Sequence, residues 1–181
     1  MSPSSNPSVA AVDAVVGPGW RESGRPVNGS RPRTMVLVDL ENLCGSGDPS
    51  AIECHWAQNL VATVADDREA QVVVAVSHHA APVAMFSWQG GRVVLRSGQD
   101  GADLALLEVI RDEGVAERFG RVVLGSGDGI FATAVAELVE HGLVVDVVAP
   151  EHSIASSLAR VATGVTTTEQ AAFDLIYGTA C

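Results

Sequence analysis

Between residues 34 and 150, short apolar runs alternate with longer stretches whose apolar residues recur every three or four positions. The runs TMVLVDL (34–40), QVVVAVS (71–77), GRVVLRS (91–97), GRVVLGS (120–126) and LVVDVVAP (143–150) predict five buried strands. Between them, SAIECHWAQNLVATVAD (50–66) carries Ile52, Trp56, Leu60, Val61 and Val64 at helical spacing, which predicts a helix. HAAPVAMFSW (79–88) reads as a short helix or turn, with Pro82 suited to its first turn. DGADLALLEVIRDEGV (100–115) and FATAVAELVEHG (131–142) predict two further helices. From Ser153 to Ile176 the pattern suggests a short helix, a Thr-rich stretch and a last helix. Residues 1–33 hold Pro, Ser, Gly and Asn without any sustained period, and are expected to form a disordered tail ahead of one domain, 34–181.

Strand and helix alternating in this way predict a parallel sheet covered by helices on both faces, with right-handed connections. In such sheets chemistry gathers beyond the carboxyl ends of the strands, where the strand order reverses. The composition agrees. Hydrophobic residues make up 47% and aromatic residues only 4%, so Val, Ala and Leu must build the core.

Charge sharpens the picture. There is no lysine; all 11 basic residues are arginine. Four of the 11 arginines (Arg21, Arg25, Arg31, Arg33) and two of the 22 acids lie in the first 33 residues, which leaves 7 against 20 in the rest, a net of −13. Such a surface repels polyanions unless a cation or a local basic patch compensates. No apolar run approaches the roughly 20 residues of a membrane span. The amino-terminal residues lack a basic segment followed by an apolar one. Cys44, Cys54 and Cys181 have no metal-ligand spacing. A reduced, cytoplasmic setting is the expectation.

Three strand ends present carboxylates in small-residue loops: Asp39-Leu40-Glu41-Asn42, then Asp100-Gly101-Ala102-Asp103, then Ser126-Gly127-Asp128-Gly129. Any one of them could simply cap a helix. Capping is the preferred reading for Asp100 and for Asp48. Asp39 follows four apolar residues and should lie at the buried end of the sheet, where a carboxylate is costly unless paired or bound to a cation. Asp39, Asp103 and Asp128 at one edge therefore suggest an all-oxygen site for Mg²⁺ or Mn²⁺. Such an ion polarises a phosphate, activates water and stabilises a departing oxygen, and it reverses the local field of an acidic domain. Two rival readings are weaker. A dinucleotide turn would need a completed G-x-G-x-x-G, but position 130 is Ile130; an aspartyl-phosphate enzyme would want a downstream lysine.

Three stretches carry a resemblance: VLVDLENL (36–43), GADLALLEVI (101–110) and VVLGSGDGIFATAVAELVEHGLVVDVVAP (122–150). Together they resemble the NYN domains, a branch of the PIN-like nucleases that includes the LabA-like proteins. The resemblance implies a three-layer α-β-α, PIN-like or Rossmann-like domain whose mostly parallel central sheet has about five strands. It implies a metal-dependent endoribonuclease acting on RNA, with Asp39, Asp103 and Asp128 holding Mg²⁺ or Mn²⁺. Asn42 would be a catalytic, substrate-orienting group. Ser126 and Arg96 would serve on the substrate side, Ser126 also supporting its loop, and Phe131 would pack behind that loop.

One position departs from the family. Ile130 stands where a second carboxylate is frequent, with Glu41 or Asp100 as substitutes. A catalytically weak or inactive RNA- or protein-binding regulatory module on the same fold is therefore the alternative. Arg68, Arg92 and Arg96 are the obvious phosphate contacts, with ion-paired roles as the competing reading. His78 and His79, after the second strand, could contact RNA or assist proton transfer. Cys54 and His55, adjacent within a helix, face different directions and make no metal pair. Trp56 and Trp88 read as core or interface residues. A homodimer through the helix near Trp56 or through the last helix is a further expectation, and no membrane partner is expected.

Overall fold

A computed structural model describes residues 33–98 and 100–178. The expected tail, apart from Arg33, lies outside the described residues. The chain runs β1 (Thr34–Asp39), α1 (Leu40–Cys44), α2 (Ala51–Ala65), β2 (Gln71–Val76), α3 (Ala81–Ser87), β3 (Arg92–Leu95), α4 (Gly101–Asp112), α5 (Val115–Arg118) and β4 (Arg121–Gly125). After a 3₁₀ turn (Gly129–Phe131) come α6 (Ala132–Glu140) and β5 (Val144–Ala149). A second 3₁₀ turn (Glu151–Ser153) leads to α7 (Ser156–Val161), β6 (Gly164–Thr167) and α8 (Thr168–Tyr177).

All six strands are parallel, in the order β3-β2-β1-β4-β5-β6. The order reverses between β1 and β4, so the crevice favoured for ligands opens above Asp39 and the loop after Gly125. Every residue of β1 is buried, and its side chains alternate between two cores. Met35 and Leu37 pack with Leu106, Phe131 and Leu138 under one helical layer. Val36 and Val38 pack with Cys54, Ala57, Val61, Ala84 and Trp88 under the other. A period of two, covered on both sides, explains why the run is apolar throughout.

Two features beyond the sequence reading have clear causes. The Thr-rich stretch forms a sixth strand, β6, at the sheet edge; only Val165 in it is strongly apolar, and half-exposed threonines give no buried-strand signal. In α2 the buried stripe is Cys54, Ala57, Leu60, Val61 and Ala65, so only Leu60 and Val61 of the five large apolar positions face the core fully. Ile52 is 82% exposed and Trp56 42%. The helix lays its small residues against the sheet, where close approach favours them, and turns its two largest outward. A capping box, with Ser50 and Glu53 bonded to one another's backbone N–H groups, starts α2. Among the described residues no helix is long and apolar enough to cross a membrane.

Candidate active site

Asp39 is the last residue of β1, and its extended backbone turns directly into α1. Its Oδ1 accepts the Asn42 N–H at 3.2 Å and caps that short helix. Asn42 in turn accepts the Gly127 N–H on its Oδ1 at 2.9 Å, so α1 is tied to the loop after β4. In that loop Ser126 is fully buried, and its Oγ accepts the Asp128 N–H at 3.3 Å. Asp128 is exposed; its Oδ1 accepts the Ile130 N–H at 2.9 Å and caps the 3₁₀ turn. Phe131 is fully buried in the core beneath.

The glycines of this loop serve close approach. A Cβ on Gly127 would lie 2.5 Å from the Ser153 carbonyl oxygen, and one on Gly129 would lie 3.0 Å from Ser157 Oγ. The Ala155 N–H also donates to the Gly127 carbonyl at 2.8 Å. The segment joining β5 to α7 thus clamps the Asp128 loop. Asp103, in the first turn of α4, is placed by a similar contact: a Cβ on Gly101 would meet the Arg96 carbonyl oxygen at 2.4 Å.

Capping falls opposite to the sequence expectation. Asp39 and Asp128 cap with their side chains. Asp100 occupies the start of α4 in a left-handed conformation (φ 56°) without a side-chain cap, and Ser50, not Asp48, caps α2. Capping engages one oxygen of each aspartate and leaves the other for different work.

Asp39 and Asp103 meet. Each is less than a tenth exposed, and their carboxyls are in hydrogen-bond contact. Burial pushes the Asp39 carboxyl up to about 8, with the Asp103 contact adding to the rise and the Asn42 N–H opposing it. Asp103 is raised as well, chiefly by burial, with the Asp128 and Asp100 charges adding and the Asp39 contact opposing. Two carboxyls buried this close cannot both ionise cheaply. Asp103 Oδ1 is buried without a hydrogen-bond partner among the described residues. Asp128 acts on Asp103 through its charge. Among the described residues no three His, Cys, Asp or Glu side chains are gathered tightly enough to enclose an ion.

Of the other predicted contacts, Arg68 precedes β2 at the amino edge of the sheet, away from the aspartates at its carboxyl edge. Glu41 accepts from both the N–H and the Oγ–H of Ser77, which ties α1 to the end of β2 and commits the carboxylate there. Arg96 is paired with Glu108 and Arg92 with Glu113, both at the surface. Ser126, expected near substrate, is enclosed within its own loop. His78 shares a hydrogen bond with Ser97 Oγ across the ends of β2 and β3. Sequence reasoning missed the Asn42–Gly127 and Glu41–Ser77 bonds and the clamp by residues 153–157. Their partners are 85, 36 and about 30 residues apart in the chain, and no local pattern encodes them.

The NYN domain family profile matches residues 33–169, most of the described chain. The chain belongs to the NYN domain family. A solved structure similar to this NYN chain, a protein of unknown function from Vibrio parahaemolyticus RIMD 2210633, is 18% identical, with a TM-score of 0.51 over 77% of this chain and 94% of that one. That likeness is one of fold. Two more distant structures are a Leishmania major protein described as a MAR1 ribonuclease (14% identical, TM-score 0.43, 81% of this chain and 86% of that one) and the MAR1 ribonuclease of Caenorhabditis elegans (13%, 0.37, 82% and 74%). No curated protein matches this NYN chain in sequence. Its six parallel strands between helical layers make the PIN-like architecture of the domain.

Proposed function

We propose that this NYN domain is a divalent-metal-dependent endoribonuclease, and that Asp39 and Asp103, with Asp128 at the rim, hold Mg²⁺ or Mn²⁺. The observation that carries the reading is the buried Asp39–Asp103 pair at the strand-order reversal, with Asp103 Oδ1 left unpartnered. Two carboxyls buried side by side, one oxygen of which lacks a donor, are costly by themselves. A hard dication held there would offset their charge and give that oxygen a partner, and an all-carboxylate donor set suits Mg²⁺ or Mn²⁺. The residues present therefore fit the ion.

When bound, the ion supplies Lewis-acid polarisation of a phosphodiester and lowers the cost of activating water. The chain's own residues do the rest. The Asn42 bond to Gly127 fixes the distance between the Asp39 turn and the Asp128 loop. The close contacts of Gly127 and Gly101 leave neither loop room to drift. Arg96 rests on a surface ion pair worth at most about 1 kcal/mol, so its guanidinium can exchange Glu108 for an RNA phosphate. Fixed positions of this kind are what positioning catalysis requires.

The test is cleavage of single-stranded RNA with and without Mn²⁺. Asp39→Asn and Asp103→Asn are expected to abolish metal-dependent cleavage while the fold persists. Full activity in either variant sinks the assignment. A second reading, a non-catalytic RNA- or protein-binding regulatory module, is favoured by one observation: Ile130, 37% exposed, stands beside Asp128 without adding a carboxylate to the site. Calorimetric titration separates the two, since absence of Mn²⁺ binding at millimolar concentrations selects the module.

A further inference from the structure

The exposed large apolar residues are unevenly placed. Among the described residues, α4 to α7, which form one layer, expose none. The other layer, in which α2 lies between α3 and α8, exposes Ile52, Trp56, Met85, Phe86, Phe173 and Tyr177, together with two more residues of α8. Ile52 and Trp56 are one turn apart on the same face of α2, beside a shallow depression they line with Ala51, His55 and Asn59. Phe86 is 84% exposed on α3. Phe173 and Tyr177 lean on each other on α8, ring centroids 4.8 Å apart. Isolated exposed apolar residues are ordinary; a whole layer of them beside a layer with none marks an interface.

Charge identifies the occupant. α3 carries no charged side chain at all, α2 carries only Glu53, engaged in its capping box, and His55, and α8 carries Glu169 in its first turn and Asp174, bonded to Gln170. None of the three helices has a lysine or arginine. RNA and an anionic membrane both need clustered cationic residues; the nearest here, Arg33 and Arg68, lie at one end of the layer among Asp66, Asp67 and Glu69. The opposite layer is rich in charge, with Asp103, Glu108, Arg111 and Asp112 on α4 alone. For a chain of net charge −11, two copies repel wherever acids face acids, so a second copy closes best centred on α2 and α3, whose one acid is Glu53, with the acids of α8 toward the rim. The size suits a weak, dilution-sensitive dimer. The 7, 15 and 10 residues of α3, α2 and α8 span about 10, 22 and 15 Å, and with helices about 10 Å apart they make a face of roughly 480 Å² in projection, below the ~800 Å² per partner of a standard interface and in the range of transient ones. α2 alone would offer about half of that.

We propose that the α3-α2-α8 layer is the interface of a homodimer, in which Ile52, Trp56 and Phe86 of one copy pack on the same residues of the next. Interfaces of this kind are self-complementary and more apolar than the rest of the surface. A dimer closed through a helical layer leaves the carboxyl edge of each sheet open, so both candidate sites face solvent.

The test is sedimentation velocity of the full chain across the micromolar range. A species of twice the 18.7 kDa chain mass is expected, shifting to monomer on dilution. The double substitution Ile52→Asp with Phe86→Asp should raise the dimer dissociation constant by roughly a hundredfold or more, whereas Thr133→Asp on α6 should leave it unchanged. Both target residues are more than 80% exposed, so circular dichroism should show the variant folded. Hydrogen exchange gives an independent reading: amides of α2 and α3 should become better protected as concentration rises. A monomer throughout the range overturns the proposal, as does a dimer indifferent to the double substitution. Protection of α2 and α3 in a monomer at every concentration would assign the face to a segment of the same chain and overturn it equally.

Discussion

The side chain of Asn42 accepts the backbone N–H of Gly127 at 2.9 Å, joining two loops that lie 85 residues apart. Because the backbone N–H of Asn42 donates to Asp39, one residue connects the end of β1 to the end of β4. Asn42→Ala leaves the buried Gly127 N–H unpaired, a cost of about 1–3 kcal/mol, and should lower the melting temperature by roughly 2–10 °C. Asn42→Asp keeps an acceptor and should recover most of that loss. Thermal melts of the two variants beside the parent check the ranking.

Gly127 and Gly129 should differ sharply in tolerance. A methyl group on Gly127 runs into the Ser153 backbone, which cannot rotate away, whereas on Gly129 it meets chiefly the Ser157 hydroxyl, which can. Gly127→Ala is expected to destabilise by about 1–3 kcal/mol and Gly129→Ala by less than about 1. Urea midpoints measured at matched slope decide this.

The buried carboxyl pair makes metal-free stability depend on pH. The Asp39 carboxyl rises from 3.8 to about 8 on folding, so the folded state holds a proton that the unfolded state has released. Its contribution is fully present below pH 4 and is lost as pH climbs through 8. With chelator present, the melting temperature should fall between pH 5 and pH 8, and Asp39→Asn should flatten that slope. A parent slope equal to that of Asp39→Asn would show that the pair does not titrate as described.

Manganese should reverse the trend. An ion that binds the ionised pair competes with the proton on Asp39, so stabilisation should be larger at pH 8 than at pH 6. At a hundred times the dissociation constant the gain is about 2.7 kcal/mol, or roughly 5–10 °C. Differential scanning fluorimetry with Mn²⁺ should record the shift in the parent and little or none in Asp39→Asn.

Much of this was legible in the sequence. The five apolar runs became β1 to β5: β1, β2, β4 and β5 because strands covered on both faces are apolar throughout, and β3 as a half-exposed edge strand that keeps Val93, Val94 and Leu95. β6 was hidden because Thr166 and Thr167 at a sheet edge look like any polar loop. The aspartates at the strand ends were visible as residues. That Asp39 and Asp103 touch while Asp128 stays at the rim was not, since it depends on where Gly101 seats α4 against β3. The inward stripe of α2 was not legible, because apolar spacing alone does not say which face meets the sheet. Ile52 and Trp56 are larger than Cys54 and Ala57, yet the smaller pair fits against the sheet.

The clamp on the Asp128 loop makes distant positions inseparable during sequence drift. Residue 127 can gain a side chain only if the carbonyl at 153 moves away, and residue 129 only if 155 and 157 stay small or adaptable. Along a lineage of such chains, these positions should therefore change together or not at all. A chain that keeps its aspartates but lengthens the β5–α7 connection would retain every acidic residue of the site and lose the wall that holds one of them in place.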